Sequence, residues 1–253
     1  MKKICTKKTE MKKTQLRKTQ IRKTQIKKTF PVVLLILMTL LTTHVAMADD
    51  RHDIHASAED VQPLLPGMKA PDFTVCDATG QEFHYKSDAQ AKPVVLTFFR
   101  GGWCPYCNLH LAEMRKAEAQ LNEMGFDIWF ISMDKPEMLL ASLEDPDIGY
   151  TIYSDSSLDA TRGFGIAFKM PDEMVEKYKG YNIDLEKASG ETHHVLPAPA
   201  TFLIGTDGII NFSYVNPDYK VRLAPSVLLA AAEAYKEGDD KRLTEARKKA
   251  SEK

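Results

Sequence analysis

Two cysteines stand three positions apart in Cys104-Pro105-Tyr106-Cys107, and the chain around them reads as strand, tight turn, helix. Pro93–Phe99 is a continuous apolar run, the pattern of a strand covered on both faces. Cys104–Met124 reads as a helix with Leu111, Met114, Leu121 and Met124 on one face, closed by Gly125. Cys104 then starts the helix, where free N–H groups and the macrodipole favour an anion. The nucleophilic form of cysteine is the thiolate, and such a position lowers its pKa. Arg100 adds positive charge if it points the same way. Cys107 lies one turn further on, on the same face and deeper, where it can resolve a mixed disulfide formed at Cys104. Pro105 suits the first helical turn, which needs no N–H from it. Trp103 and Tyr106 are expected to flank the dithiol as a docking surface.

A zinc site would need four ligands, usually a second close pair, and the sequence has none. The contrasting reading is a copper-binding chaperone in which His193 or His194 joins Cys104 and Cys107. Two surface histidines are the ordinary explanation of that pair. No resident metal or cofactor is expected. Cys76 is the odd thiol, read as a small buried apolar group. His110, three residues after Cys107, is expected on the exposed face of the helix.

The elements that must position this site follow in order. Phe73–Asp77 and Glu82–Tyr85 read as a hairpin around Ala78-Thr79-Gly80. Phe126–Met133 is a second buried strand, followed by a helix near Lys135–Leu143 and a short strand at Thr151–Tyr153. Residues 171–193 are polar and read as an insertion or lid. Thr201–Ile204 and Ile209–Tyr214 make another hairpin around Thr206-Asp207-Gly208, and a helix starts after Pro225. Strands alternating with helices give an α/β fold. Residues 49–65 read as a loose linker, 66–236 as the domain and 237–253 as a charged tail with little to bury.

The N-terminus carries its own signal. A basic stretch, the apolar run of residues 30–43 and the small-x-small site Ala46-Met47-Ala48 are the three parts of a secretory signal peptide. That apolar run falls short of the roughly 20 residues that cross a bilayer. The expectation is cleavage after residue 48 and a periplasmic or secreted protein with no membrane association afterwards. The leader takes 12 of the 34 basic residues and one of the 35 acidic ones, leaving 22 and 34 and a net charge near −12. A chain so acidic repels phosphate backbones, which argues against nucleic acid as a partner.

The run Phe-Phe-Arg-Gly-Gly-Trp-Cys-Pro-Tyr-Cys at 98–107 resembles the thioredoxin-superfamily active site, with the tetrad that glutaredoxins use. Gly67-Met68-Lys69-Ala70-Pro71-Asp72-Phe73, the strand Ile128–Asp134, Ser154-Asp155 with Gly163-Phe164-Gly165-Ile166, and Pro199-Ala200-Thr201-Phe202 are similar to the peroxiredoxin branch, the alkyl hydroperoxide reductase/thiol-specific antioxidant family. The likeness covers about residues 66–236. It implies a thioredoxin-like fold, a central mixed sheet flanked by helices, with an N-terminal hairpin and a peroxiredoxin-type insertion. It implies a thiol–disulfide oxidoreductase or thiol peroxidase. Cys104 would be the attacking thiolate and Cys107 the resolving thiol. Pro199, preceded by Ala198, would be a cis-proline facing the dithiol, its exposed backbone and neighbouring Thr201 pairing with substrate. The partners implied are a protein disulfide or dithiol, or a hydroperoxide, with an external electron donor. One departure matters: typical peroxiredoxins hold a threonine three residues before the peroxidatic cysteine, and here that position is Gly101. Thr97 stands where thioredoxins keep a buried acid.

Overall fold

The strand that leads to the dithiol is apolar at consecutive positions because both its faces are covered. In the computed structural model, which describes residues 50–139, 150–238, 245 and 248–250, this strand is β3, Val94–Phe98, and all five residues are buried. Val94, Leu96 and Phe98 join one apolar cluster, while Val95 and the following Phe99 join another on the opposite face. The period-two alternation is thus between two cores rather than between core and water.

Around β3 the sheet assembles β1 (Phe73–Cys76), β2 (Glu82–Tyr85), β4 (Asp127–Ser132), β5 (Thr151–Ser154), β8 (Ala200–Ile204) and β9 (Ile210–Val215), in the order β2-β1-β5-β4-β3-β8-β9. β3 pairs parallel with β4 and antiparallel with β8, with Thr97 opposite both Phe130 and Thr201. The sheet is therefore mixed. Helix α1, Pro105–Glu123, crosses from β3 to β4 and buries Cys107, His110, Leu111, Met114, Ala117 and Leu121 against the second cluster. Further helices are α2 (Pro136–Leu139), α3 (Asp159–Gly163), α4 (Asp172–Lys179), α5 (Leu185–Ser189) and α6 (Pro225–Glu237), the last beginning at a proline, as expected of an N1 residue. The remainder of the helix expected near Lys135–Leu143 lies outside the described residues, as do the signal-peptide region and most of the charged tail.

Two segments differ from their reading in sequence. Residues 49–65 are no loose linker where they are described. The N–H groups of Gln62 and Leu64 donate to the carbonyls of Gly165 and Phe164, His55 bridges to Phe168, and Ala58 and Leu64 are buried. Backbone pairing, invisible to composition, holds this stretch. The polar segment 171–193 contains α4 and α5. Their few apolar residues, Val175, Tyr178 and Leu185, bury together with Met133, Phe168 and Leu196 in a third cluster. Short strands β6 (Ala167–Lys169) and β7 (Val195–Pro197) pair as a separate ribbon at its base. The insertion thus stands beside the loop that carries the dithiol.

Candidate active site

Cys104 is the N-cap of α1, with extended backbone (φ −94°, ψ 114°), and Pro105 occupies the first turn. Its carbonyl accepts from the N–H groups of Cys107 and Asn108, at 2.9 and 3.1 Å, which closes the first turn. Both thiols are free and buried. The Cys104 thiol is brought down to about 6, first by the Cys107 S–H that donates to it, then by the Cys107 backbone N–H and the charges of Arg100 and Arg222, with burial opposing. Cys107 moves the other way. Burial pushes its thiol well up, and its hydrogen bond to Cys104 and the negative charge there add to the shift. One thiol is poised to attack, and the other holds the proton. Alkylation of Cys104 in the reduced protein is accordingly expected to rise with pH through a midpoint near 6 instead of the ordinary 9.0 of a thiol. The midpoint moves upward in Cys107→Ala, which lacks the donating S–H. Iodoacetamide labelling followed by peptide mass analysis between pH 4 and 10 measures both.

Arg100, the last residue before the turn, is only 2% exposed. Its charge is held by aromatic faces: the guanidinium lies 4.2 Å from the ring centre of Tyr219, 5.2 Å from Trp103 and 5.5 Å from Tyr178. One Nη donates to the Tyr178 hydroxyl at 2.6 Å. Contacts of this kind stabilise a desolvated cation by about 2 kcal/mol or more. Its Nε has no hydrogen-bond partner. Arg100 forms part of the wall of a cavity of about 220 Å³, together with Phe168, Met170, Met174, Pro199 and Tyr219.

The turn itself is tied down by Asp134, which follows β4. Its carboxylate accepts from the Gly102 N–H at 2.6 Å and is stabilised by the Trp103 side chain. Burial pushes this acid up to about 6, and the nearby Cys107 adds to that. Gly101 has φ +148°, and a Cβ there would stand 2.3 Å from the indole nitrogen of Trp103 and 2.7 Å from Asp134 Oδ1. A threonine cannot take this position without displacing both. Asn108 completes the turn by donating from Nδ2 to the Gly102 carbonyl at 2.9 Å.

The structure brings Cys104, Cys107, Arg100 and Trp103 together, and it leaves Tyr106 exposed on α1 beside Tyr219. It does not make Ala198 or Thr201 into an open edge. The Ala198 N–H donates to Ile166, the Pro199 carbonyl accepts from Asn216, and Thr201 is buried with its hydroxyl 3.1 Å from that of Thr97. The expected cis-proline is also corrected: among the described residues no peptide bond is cis. The Ala198–Pro199 bond keeps the intrinsic trans preference of such bonds. His110 is buried, not exposed, and burial together with the Arg222 charge pushes it down to about 4. Its place i+3 from Cys107 puts it on the packed face of α1 rather than the wet one.

His193 accepts from the Val195 N–H at Nδ1 and lies 3.1 Å from the Ser156 carbonyl through Nε2. Both ring nitrogens are thus engaged by backbone, and no group of three or more potential ligands converges among the described residues. Cys76 is half-buried at β1, where burial and the carboxylates of Glu82 and Asp77 raise its thiol. Sequence reasoning missed Asp134, Tyr178, Tyr219 and Arg222. Asp134 alone carried a local signal, as the acid ending an apolar strand.

A dithiol at the helix start after a central strand of this mixed sheet defines a thioredoxin-like, thiol-dependent oxidoreductase. The chain belongs to the AhpC/TSA family, whose model matches residues 66–213. It is 29% identical over 106 residues to peroxiredoxin Bcp of Escherichia coli, covering 42% of this chain and 67% of that one. It is 23% identical over 143 residues to the thiol-disulfide oxidoreductase ResA of Bacillus thuringiensis, covering 56% of this chain and 65% of that protein. Its fold matches the crystal structure of peroxidoxin BcpB from Mycobacterium tuberculosis with a TM-score of 0.51 at 19% identity, over 67% of this chain and 96% of that one. The chain is thus an enzyme of the peroxiredoxin-like branch, a thiol peroxidase or thiol–disulfide oxidoreductase.

Proposed function

We propose that this chain is an exported dithiol peroxidase whose two cysteines, Cys104 and Cys107, carry the whole catalytic cycle. The observation that carries the reading is the unequal pair: an N-cap thiol held near 6 beside a buried thiol that donates to it. The Cys104 thiolate attacks one oxygen of a hydroperoxide. The O–O bond breaks, the sulfur becomes a sulfenic acid, and the other oxygen leaves as alcohol or water with a proton. Cys107 then attacks Cys104, the disulfide forms, and hydroxide leaves as water with the Cys107 proton. A thiol reductant outside the chain returns both sulfurs to the reduced state. Arg100, one residue before the turn, is the cation beside the developing negative charge.

Gly101, in the place of the family threonine, favours a second reading, thiol–disulfide exchange with a protein disulfide. Trp103 and the exposed Tyr106 would then form the docking face. Stopped-flow fluorescence separates the two, because Trp103 adjoins the reacting sulfur. The expected result is a change whose rate is linear in hydrogen peroxide. A silent response to peroxide with rapid oxidation by a small-molecule disulfide would establish exchange instead. The copper reading has less support, since His193 is engaged by backbone.

Export rests on the leader motif alone. The expected result is a protein that begins at Asp49 when recovered from the periplasmic fraction of a bacterial host, read by intact mass. A chain retained in the cytoplasm with residues 1–48 attached would overturn it.

A further inference from the structure

One half-buried cation near the dithiol lowers the Cys104 thiol from a distance but touches the other sulfur. Arg222 lies in the segment between β9 and α6, remote in sequence from the turn. Its Nη2 donates to the Sγ of Cys107 at 3.3 Å, and its Nε donates to the Tyr219 carbonyl at 2.7 Å. Its Nη1 is buried without a hydrogen-bond partner. No carboxylate pairs with it among the described residues. A guanidinium kept only to strap a loop has no reason to aim a donor at a thiol. Leaving a buried donor unmade is unfavourable, which argues for a role that repays it.

We propose that Arg222 is a catalytic residue of the resolving step, stabilising the thiolate of Cys107 as it attacks Cys104. The assignment rests on the dithiol cycle proposed above. Cys107 is deep and reluctant to ionise, and the Thr97 hydroxyl is engaged with that of Thr201. Cys107 instead faces four other groups besides Arg222: Cys104 on its own helix, Arg100 before the turn, Asp134 after β4 and His110 one turn along α1. Asp134 is an acid that opposes negative charge on Cys107, Cys104 is by then an uncharged sulfenic acid, and His110 is neutral. Arg100 is already committed to Tyr178 and its aromatic cage. Arg222 alone combines full charge with direct contact to the sulfur. During resolution the Cys107 S–H loses its proton, the S–S bond forms and the hydroxyl on Cys104 departs as water with that proton. The negative charge that appears on Cys107 in between meets the Arg222 donor.

A charge-assisted hydrogen bond of this kind is expected to be worth about 10- to 100-fold in rate. The test uses the full-length reduced chain, one equivalent of hydrogen peroxide, dimedone quenching to trap sulfenic acid, and mass analysis of the Cys104–Cys107 disulfide with time. In Arg222→Met, Cys104 oxidation is expected to slow by up to several-fold, because Arg222 is the last and smallest of the influences that lower the Cys104 thiol. Disulfide formation falls about 10- to 100-fold, sulfenic acid accumulates, and the pH profile of resolution moves to higher pH. Arg222→Lys, which keeps charge and stem, restores part of the rate and part of the profile. If Arg222→Met fails to fold, Arg222→Lys and the pH dependence of Cys107 alkylation in Cys104→Ser with and without it decide the matter. Resolution at the unmodified rate with an unmoved pH profile overturns the role of Arg222. Absence of a Cys104–Cys107 disulfide in the unmodified chain with either peroxide or a disulfide oxidant overturns the dithiol cycle itself.

Discussion

Cys104→Ser is expected to reduce oxidation of the protein by hydrogen peroxide at least about 1,000-fold, on the scale of nucleophile deletions in other enzymes. The hydroxyl replaces the thiol at nearly the same size, so the loss is chemical rather than structural. Everything that lowers the Cys104 thiol to about 6 acts on an anion: the Cys107 S–H, the helix start, Arg100 and Arg222. A serine hydroxyl stays protonated at neutral pH whatever surrounds it, and a neutral oxygen does not attack a peroxide. Cys107→Ser behaves differently. It keeps a donor beside Cys104, so the first oxidation continues within a few-fold. The cycle then stops, because no second sulfur can expel the hydroxyl. Trp103 fluorescence should show one fast phase in Cys107→Ser, and dimedone should label Cys104 stoichiometrically. Equal peroxide reactivity in Cys104→Ser and the unmodified chain would place the chemistry on another residue, with Cys76 the remaining thiol of the described domain.

How much of this was legible in the sequence depends on the range of each interaction. The strand before the dithiol and the helix after it were legible because each is local: a continuous apolar run at β3 and a heptad-like stripe on α1. The N-cap position of Cys104 follows from those two alone. What escaped depends on contacts across the fold. Arg222 stands 115 residues from the sulfur it touches, and Tyr178 stands 78 residues from Arg100. No spacing rule links such pairs. His110 was misplaced because helical position was read against the apolar stripe, yet a histidine with low pKa packs as a neutral ring. The polar insertion hid two short helices, since only Val175, Tyr178 and Leu185 join the apolar cluster there, which leaves too weak a pattern to read. Pro199 carried an expectation borrowed from relatives, and there the backbone follows its intrinsic preference. The family threonine was seen to be missing at Gly101, but the reason for its absence required coordinates.

That reason supports the second large effect. Gly101→Ala is expected to lower the unfolding free energy by about 2 to 5 kcal/mol, from backbone strain together with overpacking. At φ +148° an L side chain is strained before anything is touched, and the added Cβ would also meet Trp103 at 2.3 Å and Asp134 at 2.7 Å. Neither neighbour yields cheaply. Trp103 packs edge-on to Tyr178 at 5.8 Å, and Asp134 is the acceptor that fixes the Gly102 N–H. Relief therefore requires the whole turn to move, and with it the N-cap geometry that sets the Cys104 thiolate. Gly80→Ala supplies the control. Its φ of +85° is also left-handed, but an added Cβ meets nothing within 4 Å. That change should cost only the conformational penalty, about 1 to 2 kcal/mol. Urea unfolding of the reduced proteins compares the two, and the midpoint of Cys104 alkylation should move upward in Gly101→Ala while staying near 6 in Gly80→Ala. Equal stability losses would mean the turn has room for a side chain. The missing threonine would then reflect chemistry alone, and the close packing of Gly101, Trp103 and Asp134 would lose its place as the constraint that shapes this site.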